Sequence, residues 1–236
     1  LIEYNVVTNI GYLAISFGSN GGKGANAIVR NNFIDTYCYV KDDGAGIYTF
    51  NNTAAQGSWS TPRVISNNII INGLGAAAGV SSAAATNSGG DSYGIYMDDG
   101  TSDVNISGNV IYNASRAGVF LHDSRNINLT NNVVIGSGSS SSLSWQMSEL
   151  LISNNTTETL RGVNISGNTF FSLLGATVQM SATTSNIALI NATSGANDMA
   201  SWGTWDNNIY CKPFAQSNLF TTSAGSNFNG SLTSWP

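Results

Sequence analysis

Ile106-Ser107-Gly108-Asn109-Val110-Ile111 and Leu129-Thr130-Asn131-Asn132-Val133-Val134 are one phrase written twice, 23 residues apart: apolar, any, any, Asn, apolar, apolar. Working outward, the phrase recurs as Ile2-Glu3-Tyr4-Asn5-Val6-Val7, Val29-Arg30-Asn31-Asn32-Phe33-Ile34, Ile65-Ser66-Asn67-Asn68-Ile69-Ile70 and Ile165-Ser166-Gly167-Asn168-Thr169-Phe170. A last copy, Asp206-Asn207-Asn208-Ile209-Tyr210, lacks the leading apolar residue. The repeated Asn falls at 5, 32, 68, 109, 132, 168 and 208, so successive copies lie 23 to 41 residues apart. The shortest spacing marks the unit, and the longer ones read as that unit carrying inserted loops. Asn155, 23 residues after Asn132 but 13 before Asn168, competes with Asn168 for its place in the count.

A second phrase runs in phase with the first. Gly46-Ile47-Tyr48-Thr49, Gly94-Ile95-Tyr96-Met97 and Gly118-Val119-Phe120-Leu121 repeat with 24 residues between the last two glycines. Each unit therefore holds two or three short strands joined at Asn- or Gly-rich corners. A helical repeat of this length needs amphipathic stretches of period 3.6, and none is present. Short strands that return to the same place every two dozen residues describe a coil of parallel strands. The ladder Asn suits a corner twice over, because it tolerates a left-handed backbone and its amide can bond to the next coil. The expected fold is all-β: a single right-handed parallel β-helix of about seven coils over residues 1–236, roughly 34 Å long at ~4.8 Å per coil.

Composition agrees. The chain of 236 residues is 42% hydrophobic but only 9% charged, too few charges to coat the outer faces of a helical bundle. Its 31 Asn and 32 Ser fill the polar positions instead, and both are poor helix formers. The net charge is −5 and Lys and Arg are scattered, which argues against a nucleic-acid partner. No apolar run reaches the length of a membrane span. Gly21, Gly22 and Gly24 precede no helix pattern, so they make no phosphate loop. Low Lys with abundant Asn, Ser and Gly points to a secreted or cell-surface protein. The chain opens on Leu1-Ile2-Glu3-Tyr4-Asn5, already a strand, so a longer parent chain, or assembly through the terminal coils, is expected.

The phrases Lys41-Asp42-Asp43-Gly44-Ala45-Gly46-Ile47-Tyr48-Thr49, Gly94-Ile95-Tyr96-Met97-Asp98-Asp99-Gly100 and Asp206-Asn207-Asn208-Ile209-Tyr210-Cys211-Lys212-Pro213 extend the likeness beyond a period. The chain resembles secreted proteins with parallel β-helix repeats, similar in architecture to pectate lyases and polygalacturonases. That resemblance implies a polysaccharide partner, met by a lyase, a hydrolase or an epimerase. It also covers adhesins and fibre components, and a shared fold does not choose among them.

Register selects the candidate site. Six of the ten Asp fall at 42, 43, 91, 98, 99 and 123, and the single His is His122. Asp98 and His122 both lie four residues after an aligned glycine; Asp99 and Asp123 both lie five after. In a coil stack, equal offsets make vertical neighbours ~4.8 Å apart. Asp98 is expected beside His122, and Asp99 beside Asp123. Three readings of the cluster stay open. Asp is a common corner-capping residue. A carboxylate pair can split its pKa values and serve glycoside cleavage. Clustered carboxylates can also hold Ca²⁺. The candidate catalytic residues are Asp98, Asp99, His122 and Asp123, helped by Asp42 and Asp43. Lys41 and Arg116 are candidate bases or substrate contacts, and Tyr48 and Tyr96 candidate sugar-stacking rings, unless their column is core. No Cys/His spacing suggests zinc, and no other metal ligand is assigned. Trp59, Trp145, Trp202 and Trp205, and the Gly/Ala/Ser-rich stretches 73–92 and 136–144, read as loops between coils. Cys38 and Cys211 sit five coils apart, ~24 Å along the axis, too far for a disulfide, so two free buried thiols are expected.

Overall fold

The computed structural model describes residues 1–17, 26–50, 61–75, 90–138, 148–154, 162–173, 176–182, 203–213, 220–223 and 229–230. Asn155, Trp59, Trp145, Trp202, the glycines at 21, 22 and 24, and most of 73–92 and 136–144 lie outside them. The described residues contain strands and no helix, hence none long and apolar enough to cross a membrane.

Three parallel sheets of seven, seven and eight strands wrap the core. Strand order within each sheet advances by three, so every coil gives one strand to each sheet. The first sheet takes the leading half of the repeated phrase. Val29 pairs with Ile65, Ile65 with Ile106, Ile106 with Leu129 and Leu129 with Ile165. The second takes the trailing half, stacking Ile34, Ile70, Ile111, Val134 and Phe170. All these side chains are fully buried. The third sheet runs from Ile15–Ser16 through Gly44–Phe50, Ser92–Asp98, Ala117–His122, Ser148–Asn154 and Ala176–Ala182 to Phe220–Ser223, which pairs antiparallel with Asn229–Gly230. The parallel β-helix of about seven coils is thus the observed architecture.

The corner works differently from the single-residue account of it. The left-handed residue is the one before the ladder Asn: Asn31, Asn67, Gly108, Asn131, Gly167 and Asn207 all have φ of 53° to 67°. Asn and Gly adopt that conformation most readily, which explains their choice there. The ladder Asn itself does the bonding. In each coil its backbone N–H and side-chain amide both donate to the Oδ1 of the next ladder Asn, at 2.9–3.1 Å. The same amide also donates to a backbone carbonyl of the preceding coil, as Asn109 does to Ile65 at 3.0 Å. Asn109 is fully buried. Asn109→Ala strips the acceptor from two Asn68 donors and the donor from Ile65. At about 1–3 kcal/mol for each orphaned buried group, urea unfolding should show a loss of roughly 3 kcal/mol or more. Asn5→Ala, at the exposed first coil, should cost far less.

Both cysteines are free. Cys38 is buried, with its thiol donating to the Tyr12 carbonyl, and burial beside Asp42 and Asp43 pushes its pKa to about 12. Cys211 is only half-buried, on Ile209–Cys211, the last described strand of the second sheet, which pairs with a neighbour on one side.

Candidate functional site

The third sheet bends at its glycines. Ala45 pairs with Tyr93 and Ile47 with Ile95, leaving Gly46 and Gly94 unpaired between them; Ala117 and Val119 flank Gly118 in the same way. A Cβ at Gly46 would strike Ile70, and one at Gly94 would strike Ile111, both core residues. The glycines therefore point inward directly before inward Ile47, Ile95 and Val119, a break in strand alternation that recurs in register in three coils and bends the sheet. Ala45, Tyr93 and Ala117 on one side of the bend, and Tyr48, Tyr96 and Phe120 on the other, form one cluster outside the main core. Tyr93 and Phe120 lie three residues apart by register, yet their ring centroids are 4.7 Å apart, so the two halves of each strand fold toward each other.

At one end of this aromatic floor stands the predicted cluster. His122 Nδ1 lies 2.7 Å from Asp98 Oδ1 and 3.1 Å from Asp99 Oδ1, and its Nε2 lies 3.6 Å from Asp123 Oδ2. The Tyr48 hydroxyl donates to Asp98 Oδ2 at 2.7 Å. The His122 ring stacks on Phe120 at 5.1 Å. The turn Asp98-Asp99-Gly100-Thr101 sets the geometry. Asp99 N–H donates to Asp98 Oδ1, Thr101 N–H donates to the Asp98 carbonyl, and Gly100 supplies a φ of 68°. Gly100 N–H donates to the Asp123 carbonyl and ties this turn to the next coil.

The two adjacent carboxyls are driven in opposite directions. Burial pulls Asp98 up, but hydrogen bonds from His122 and Tyr48 outweigh it and hold Asp98 below its ordinary value. Burial lifts Asp99, and the Asp98 and Asp123 carboxylates add to the rise against the pull of His122. This split is the separation of acid and base that hydrolytic carboxyl pairs use.

At the other end lie Asp42, Asp43, Asp91, Lys41 and Arg116. Arg116 is ion-paired to Asp91, with its guanidinium 5.9 Å from the Tyr93 ring centroid. Lys41 is exposed and sits 4.3 Å from the centroid of the Tyr12 ring. The Tyr12 hydroxyl donates to the Asp43 carbonyl. The Asp43 carboxyl is raised, by desolvation first and then by Asp98, and feels both Arg116 and His122. A fully extended strand would hold Asp43 and Asp98 some 20 Å apart, so the bend brings the two ends within electrostatic reach. All ten predicted residues thus surround one bent surface. Tyr48 is half-buried and holds Asp98. Tyr96 is 5% exposed and lies between the Tyr48, Tyr93 and Phe120 rings, as part of the floor. Trp205 belongs to the first sheet and packs against the core, away from this surface.

Asp98, Asp99 and His122 each offer one donor atom, all within 4.8 Å of one another. Ca²⁺ takes six to eight oxygen ligands. Here one donor of three is an imidazole nitrogen already engaged by Asp98, so these side chains alone fall short of a Ca²⁺ shell.

Sequence reasoning missed Tyr12 and Tyr93, which no repeat offset singles out. It also missed Glu149. Ser148 pairs with Ala117 and Leu150 with Val119, which places Glu149 opposite Gly118 and continues the inward glycine column with a carboxylate. Glu149 is fully buried, and both its oxygens accept from Ser137 N–H at 3.0–3.1 Å. The detectable signal was the break in that column.

Among known proteins, a family model for a right-handed β-helix region matches residues 1–157. No curated protein and no solved structure matches the chain. Three sheets whose strands stack in parallel from coil to coil, and a match over most of the chain, agree: the chain belongs to the right-handed β-helix family.

Proposed function

We propose that the bent face of the third sheet is the active site of a secreted enzyme that hydrolyses a polysaccharide. The observation that carries this reading is the opposite displacement of Asp98 and Asp99 around a single imidazole. Asp99, kept protonated to higher pH, gives its proton to the glycosidic oxygen as the bond to the anomeric carbon breaks. Asp98, kept ionised, bonds to that carbon as the glycosidic oxygen leaves; a water then gives its proton to Asp99 and its oxygen to the carbon, breaking the bond to Asp98, a double displacement that suits two carboxyls with oxygens within 4.8 Å of each other. His122 and Tyr48 hold Asp98 in place and in its charged form. Elimination would call for a basic side chain turned to the substrate, whereas His122 is bonded to Asp98, and Arg116 and Lys41 are engaged with Asp91 and the Tyr12 ring. Hydrolysis is therefore favoured over lyase chemistry.

The test is release of reducing ends from a panel of neutral, amino-bearing and uronate polysaccharides. Activity should be highest at acidic pH. It should fall below the depressed pKa of Asp98 and again above the raised pKa of Asp99. Asp99→Asn should cut the rate by about 10²–10⁴-fold and erase the alkaline limb of the residual profile. One observation favours a second reading, a non-catalytic carbohydrate-binding surface module: Asp98 also caps its own turn. That reading predicts retention of a glycan with no turnover and no effect of Asp99→Asn.

A further inference from the structure

This face carries a surplus of negative charge. Asp42, Asp43, Asp91, Asp98, Asp99 and Asp123 are six of its thirteen acidic residues, while Lys41 and Arg116 are two of its eight basic ones. Arg116 is tied to Asp91, and Lys41 stands exposed over a tyrosine ring. Asp43, Asp91 and Asp99 are each lifted by burial and also by neighbouring carboxylates, as expected where the local potential is negative. A surface lined by one sign of charge concentrates ligands of the other sign and repels its own.

We infer that the bent face takes a glycan bearing free amino groups and excludes polyuronates, a specificity set by the surplus negative charge of Asp42, Asp43 and Asp91. This rests on the reading of the face as a glycan-cleaving site. An ammonium sugar meets a carboxylate surplus that the single Arg116–Asp91 pair does not cancel. A uronate carboxylate meets the same groups as repulsion, and the cation that would receive it, Arg116, is already neutralised by Asp91.

Three oligosaccharides test this: a glucosamine oligomer, its N-acetylated counterpart and a galacturonate oligomer. Binding and cleavage of each are measured in low salt with chelator, in 1 M salt, and with Ca²⁺ added. The glucosamine oligomer should bind about tenfold or more tighter than its acetylated twin, whose backbone is the same. At 1 M salt, where the Debye length is about 3 Å, that gap should close. Asp43→Asn, at an exposed position whose left-handed φ of 53° Asn tolerates, should narrow it. Asp91→Asn, which releases Arg116, should raise binding of the galacturonate oligomer. Equal or tighter binding of the galacturonate oligomer by the unmodified protein, with or without Ca²⁺, overturns the specificity while leaving a glycan-cleaving site in place. If all three oligomers are neither bound nor cut, both the specificity and the function proposed above fall.

Discussion

Asp98→Asn should lower turnover on a cleaved glycan by about 10²–10⁴-fold, with the far-ultraviolet circular dichroism of the parallel sheets unchanged. The argument is local. Asp98 accepts from His122 and Tyr48 and from the Asp99 N–H, and these donors keep it ionised. Asn preserves shape and one acceptor, so the turn through Gly100 survives. It removes the charged oxygen that bonds to the anomeric carbon, and it replaces charge-assisted hydrogen bonds with neutral ones, a loss of about 1–2 kcal/mol in stability. Initial rates and thermal unfolding on the same preparation separate the two effects. Full activity in a folded Asp98→Asn protein would reduce the cluster to a corner cap and move any chemistry elsewhere.

Glu149→Gln should change the pH dependence of stability more than any surface substitution. Burial lifts the Glu149 pKa from 4.5 to about 8, against the Ser137 donors that favour the charged form. The folded state thus holds a proton that the unfolded chain releases near its ordinary value. Between those two pH values the native state binds more protons, so stability falls as pH rises. The contribution is fully present below about pH 4.5, declines from there to pH 8, and is constant above. At about 1.4 kcal/mol per unit, the whole change is on the order of 5 kcal/mol. Glu149→Gln carries no titrating proton, so its denaturation midpoint should lose this slope and exceed that of the unmodified protein at pH 8. Parallel slopes for the two proteins would show that Glu149 ionises freely in the fold.

The coil architecture was legible because its determinants are local and repeated. A core position such as Ile106, the left-handed corner at Gly108 and the ladder Asn109 recur together, and each repeat needs only its neighbours above and below. The Asp98–His122 contact followed from the same arithmetic, since equal offsets from Gly94 and Gly118 become vertical neighbours. The division of labour at the corner was less legible. The phrase marks Asn31 and Asn32 alike, and only backbone torsions show which one turns and which one bonds.

The amino-acid sequence by itself determined the parallel coil, its count of about seven turns, the separation of Cys38 from Cys211 and the stacking of Asp98 on His122. All of these follow from spacing along one axis. Only the tertiary structure decided that Gly46, Gly94 and Gly118 turn inward and fold the third sheet across itself. That bend brings Asp43 and Arg116 within reach of the His122 cluster, and the same inward column buries Glu149. The physical reason is that a periodic sequence specifies which residues stack. The direction of each side chain at such a bend depends on what already fills the core beneath it, here Ile70, Ile111 and Val134.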